Sequence, residues 1–151
     1  MAEKITIDKK YNALDRLGKW DEETRLVIER RLRDETGDKR VFSRLNKKEM
    51  QMLESLVDLL LYSQPKKYGI KVAETIAKDL VNKKSGVRYN EYPWRYVFYK
   101  EGFKVLARNP GIILAKKIVG IINGQDNVFL RDFIRQVLVD AVEVFYSHPI
   151  S

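Results

Sequence analysis

A chain of 151 residues with 44% hydrophobic and 33% charged residues fits one folded domain and is too apolar for a disordered segment. It has no cysteine and a single histidine, which excludes disulfides, thiolate metal sites, cysteine nucleophiles and histidine-rich metal centres. The net charge of +8 would suit phosphate-bearing partners. The lysines, however, come in scattered pairs with no long basic run, so a solvated basic surface or an acidic protein partner is expected ahead of nucleic acid.

The opening stretch, Met1 to Lys10, has no apolar core of the kind a secretory signal needs. The longest apolar run, Ile118 to Ile122, is too short to span a bilayer. A cytoplasmic protein is expected, touching a membrane only peripherally and through a complex. Residues 1–19 are read as an N-terminal arm lying on the domain or on a partner, and residues 20–151 as the helical domain.

Asp21, followed by Glu22 and Glu23, is an N-cap signal with negative charge at the positive end of a helix dipole. Val27, Ile28 and Leu32 supply the apolar stripe, Trp20 can staple the start, and Gly37 ends the helix. Asn46 with Glu49 three residues on spells a capping box, flanked by Leu45 and Met50 as a staple. That helix is expected to run through Leu61 towards Gln64-Pro65. A third helix buries Val72, Ala73, Ile76, Ala77 and Leu80 and turns Lys71, Glu74, Lys78 and Asp79 outward.

Val87 to Trp94 reads as a loop unusually rich in rings, with Tyr89, Tyr92 and Trp94 beside Arg88. Pro93 suits the first turn of a fourth helix, Trp94 to Ala107. Asn109-Pro110 opens a fifth, ending at Asn123-Gly124. The last helix starts at Val128 and stops on Tyr146-Ser147-His148-Pro149, apolar at Leu130, Phe133, Ile134, Val137, Leu138, Ala141, Val142 and Phe145. Its polar stripe, Arg131, Asp132, Arg135, Gln136, Asp140 and Glu143, is expected to face solvent. Pro149 stops it beside His148. No two-residue alternation appears. The expected fold is all-α, a single-domain bundle of about five or six helices around a buried C-terminal helix.

No phosphate-binding glycine loop, nucleophile elbow or paired metal-ligand spacing is present. Ser63 to Lys66 spells S-x-x-K across a helix end, which is a chance match. Asp140 and Glu143 share a face, but a carboxylate pair in a solvated stripe has nothing to tune it. His148 is either a local helix cap or a docking residue. No catalytic, cofactor-binding or metal-binding residue is assigned. The candidate partner interface comprises Trp20, Arg88, Tyr89, Tyr92, Tyr146 and His148, because aromatic and arginine side chains dominate interface hot spots.

Four blocks, in order, resemble one family. They are Tyr11 to Leu14 with Trp20 to Leu32; Phe42 to Leu60; Gly86 to Pro93 with Glu101 to Leu106; and Phe129-Leu130 through Phe145-Tyr146-Ser147-His148-Pro149. This pattern is similar to the gluconate 2-dehydrogenase subunit 3 family, the small subunit of flavin-dependent alcohol and sugar dehydrogenases. The resemblance implies a non-catalytic, chaperone-like accessory subunit with no cofactor of its own. FAD would reside in a large partner subunit of the glucose-methanol-choline (GMC) oxidoreductase type, and a cytochrome c subunit could complete the complex. Two features depart from the family: the twin-arginine signal of many members is missing, and the glycine-rich segment beyond His-Pro is not found. The alternative from another class is a small basic helical nucleic-acid-binding protein.

Overall fold

The computed structural model describes residues 13–36, 45–81, 92–109, 111 and 128–147. An N-terminal 3-10 helix (Ala13–Lys19) precedes α1 (Glu22–Thr36), α2 (Lys47–Leu60), a single turn α3 (Gln64–Lys67), α4 (Val72–Leu80), α5 (Tyr92–Ala107) and α6 (Val128–Tyr146). Among the described residues there is no strand, and the fold is an all-α bundle. Of the helix expected over 109–122 only Asn109 and Gly111 are described, Gly111 in helical conformation; its other residues, the loop residues 87–91 and Gly37 lie outside the described residues.

Local chemistry sets the helix starts. Asp21 accepts the Thr24 backbone N–H through its carboxylate at 2.7 Å, which caps α1. At α2, the Asn46 side chain accepts the Glu49 N–H at 2.8 Å while Glu49 accepts the Asn46 N–H at 2.9 Å, a complete capping box. Glu49 also receives the Lys100 ammonium at 2.8 Å, so the same side chain ties α2 to α5. Tyr92 belongs to α5 rather than to the preceding loop, since the helix starts two residues earlier than the sequence suggests.

α2 stops at Leu60, before the expected Gln64-Pro65. The Ser63 N–H reaches back to the Asp58 carbonyl at 2.8 Å, the six-to-one bond of a Schellman closure. That closure needs a left-handed residue, and here Tyr62 supplies it at φ 51°, followed by Ser63 at φ 60°. Glycine is the usual choice because a Cβ in this region costs about 1–2 kcal/mol. Gly69 takes the third left-handed position, at φ 68°, after α3. Pro65 and Ile70 point inward and anchor the turn between α2 and α4.

α6 is the centre of the bundle. It contacts the 3-10 helix, α2, α4 and α5, while α1 lies chiefly on α5. The apolar core joins Ile28, Leu53, Leu56, Leu80, Phe98, Tyr99, Phe103, Phe133, Ile134 and Val137. Phe133 lies edge-on to Phe98, Tyr99 and Phe103, with ring centroids 5.9, 5.5 and 5.6 Å away. Gly102 makes this approach possible, because a Cβ there would overlap the Phe133 ring. Trp20 reaches beyond α1. It stacks on Phe98 at 5.5 Å and meets Phe129 edge-on at 5.0 Å, so the start of α1 is drawn into the contact between α5 and α6.

Candidate functional site

Most of the polar stripe of α6 is not solvated; only Glu143 is exposed, and Arg135 partly so. Asp132 and Gln136 are fully buried, Asp140 is 3% exposed, and Arg131 is also inside. Asp132, Gln136 and Asp140 recur every fourth residue, which stacks them along one face of the helix. The 3-10 helix and Trp20 cover one end of that face, and α5 covers the other.

At the first end, the Trp20 indole N–H donates to Asp132 at 2.7 Å, and the Arg16 Nε lies 3.0 Å from each carboxylate oxygen. Gln136 is the bridge. Its carbonyl oxygen accepts the Ala13 backbone N–H at 3.0 Å and its amide donates to Asp140 at 3.1 Å. Asp140 further accepts the Tyr99 hydroxyl at 2.5 Å and pairs with the Arg95 guanidinium at 3.0 Å. The result is a continuous chain of hydrogen bonds from Ala13 through Gln136 and Asp140 to α5, charge-assisted at Asp140. A buried carboxylate is tolerable only with such partners.

Both ladder carboxylates point at protein groups, which suits them to holding segments together more than to acid–base chemistry. The expected pair of Asp140 and Glu143 is split, Asp140 facing inward and Glu143 outward. Asp79 of α4 stands beside this end of the ladder. Burial, and then the negative charges of Asp140 and Glu143, push its carboxyl above the ordinary aspartate range. Among the described residues no group of three or more histidine, cysteine, aspartate or glutamate side chains is placed to hold a metal. Nor is any described helix long and apolar enough to cross a membrane.

The interface candidates scatter. Trp20 is 5% exposed and fully engaged by Asp132 and Phe98, so it is a core residue and offers no free surface. Tyr146 is 70% exposed, its ring edge-on to Phe145 at 5.1 Å. Trp20 binds near the start of α6 and Tyr146 ends it, about 21 Å further along the axis at 1.5 Å per residue. Tyr92 is described in its backbone only, and Arg88, Tyr89 and His148 lie outside the described residues.

No protein-family model, no curated protein and no solved structure matches this chain.

Two groups escaped the sequence reading. The ladder partners Arg95 and Tyr99 were hidden because their burial depends on a helix contact formed far away in sequence. The second group is an exposed corner carrying Tyr62, Lys66, Lys67, Tyr68 and Lys71. The signal there was available: a stretch from Leu59 to Ala73 with three lysines, two tyrosines and no carboxylate.

Proposed function

We propose that this chain is a non-catalytic accessory subunit that binds and stabilises the FAD-containing subunit of a GMC-type dehydrogenase acting on sugars, sugar acids or alcohols. The observation that carries the reading is Tyr146. α6 is enclosed by its own chain along most of its length, yet ends on a tyrosine that is 70% exposed. This residue lies inside the Phe145-Tyr146-Ser147-His148-Pro149 block on which the family resemblance rests. An exposed tyrosine on a rigid support is a favourable anchor, since it offers a large ring and a hydroxyl at low entropic cost. Redox chemistry would belong to the partner's flavin. A cytochrome c subunit is a further partner in this proposal, and contact with a membrane would come through the complex.

Co-expression with a large FAD-binding subunit of the GMC type tests the proposal. The two chains should co-purify with flavin absorbance, and the isolated chain supplied with FAD should show no dehydrogenase turnover. Tyr146→Ala should weaken the association about ten-fold or more and leave the melting of the free chain unchanged. A chain that elutes alone, with the flavoprotein's yield and activity unaltered by its presence, would overturn the reading.

A further inference from the structure

We infer that the corner between α2 and α4, residues 61–71, is a binding site for single-stranded nucleic acid. It displays two tyrosines, Tyr62 at 58% and Tyr68 at 48% exposure, whereas the other large rings among the described side chains, Tyr146 apart, are buried. Lys66, Lys67 and Lys71 are exposed on the same short stretch. From Leu59 to Ala73 the chain has no carboxylate, so the corner is locally basic. Among the described residues, Glu74 lies 3.9 Å from Lys71, with both side chains largely in water.

The backbone holds this arrangement firmly. Pro65 and Ile70 anchor it from below, and the Ile70 N–H bonds the Pro65 carbonyl at 2.8 Å. Tyr62 occupies the left-handed closing position of α2, where glycine would be unstrained. A large ring kept at a strained, exposed position is an outlier that calls for a functional account. Lys67 already places its ammonium 5.7 Å from the centre of the Tyr68 ring, so a cation and a stackable π-system share one spot.

Single-stranded nucleic acid uses both kinds of group at once. Unstacked bases lie on aromatic faces while lysines neutralise the intervening phosphates. A duplex keeps its bases stacked away from such rings. An acidic polypeptide would engage the lysines and leave the rings without a comparable role. A lipid surface would need apolar side chains to enter the acyl layer, and here Pro65 and Ile70 are turned inward. The lysine pairs scattered along the sequence therefore include one that folding joins to stacking residues.

The test is fluorescence anisotropy of the full chain with a labelled twelve-nucleotide oligothymidylate across a salt series, with the matching duplex and poly-L-glutamate as comparison probes. The single strand should bind most tightly. Tyr62→Gly and Tyr68→Ala should each weaken it about ten-fold, whereas the double Tyr62→Phe, Tyr68→Phe variant should retain binding. Replacing Lys66, Lys67 and Lys71 by glutamine should reduce the slope of log affinity against log salt by about 2. Tyr62→Gly relieves backbone strain, so it should raise the melting midpoint while lowering affinity, a combination that a purely structural tyrosine would not produce. No binding of the oligonucleotide, equal affinity for poly-L-glutamate, or unchanged affinity in the Tyr62→Gly and Tyr68→Ala variants would overturn the inference.

Discussion

The ladder on α6 and the corner between α2 and α4 use polar residues in opposite ways. In the ladder, Asp132 and Asp140 are removed from water, and each is met by a guanidinium and a neutral donor from another segment. In the corner, three lysines remain in water with little opposing charge, beside two exposed rings. Burial turns charge into a tether, because an ion stripped of water must be satisfied by the protein itself. Exposure leaves charge available to an outside partner and makes it nearly irrelevant to stability. The same comparison separates where this fold can be broken from where it can be used.

The largest expected effect lies in the ladder. Asp132→Ala strands the Trp20 indole and Arg16 and releases the N-terminal segment, which should cost about 3 kcal/mol in urea unfolding. It should also shift Trp20 fluorescence towards that of a solvated indole. A loss below about 1 kcal/mol would show that Asp132 behaves like a surface carboxylate.

Gly102→Ala attacks the geometry that brings α5 within reach of α6. The new methyl group meets a buried Phe133 ring with no room to turn, so about 2 kcal/mol of stability should be lost. Pairing it with Phe133→Leu should recover part of the loss, a coupling readable in a double-mutant cycle.

Tyr99→Phe removes one donor from Asp140 but leaves Arg95 and Gln136, so roughly 1–2 kcal/mol is expected. In the corner the sign reverses. Tyr62→Gly should stabilise the chain by about 1 kcal/mol in thermal or urea unfolding; a destabilisation of that size would mean the ring is held by packing.

The smallest effect is at Asp79, on the border of the ladder. Its raised carboxyl pKa means that the folded state binds the proton more tightly than the unfolded chain does. Its favourable contribution is complete below the ordinary aspartate value of 3.8 and is lost as pH rises through the raised folded value. Asp79→Asn should therefore stabilise the protein at neutral pH, and the gain should fade as pH drops through that window. A gain independent of pH would point to a cause other than ionisation.

Much of this architecture follows from short-range rules. Asn46 and Glu49 sit three residues apart, and their capping box forms wherever a helix starts there, whatever packs around it. The helical period of Phe133, Ile134, Val137 and Ala141 likewise determined that α6 would be a core helix. The interface residues were less legible: Trp20 reads as a hot-spot residue by type, yet its ring fills the α5–α6 contact and its N–H satisfies Asp132. Residue type sets what a side chain can do; only its surroundings set what it does.

The C-terminal helix carries the clearest division between the two levels. Its length, its stop near Pro149 and its apolar faces were set by the sequence alone, because helical periodicity and proline geometry act within a few residues. The fate of Asp132, Gln136 and Asp140 was not. A polar residue every fourth position is the pattern of a solvent face unless another segment covers it. Here the cover comes from Ala13, Arg16 and Trp20, more than a hundred residues earlier, and from Arg95 and Tyr99 on α5. Tertiary structure alone decided that this stripe would be a buried tether, because desolvation depends on what surrounds a group and not on its neighbours in the chain.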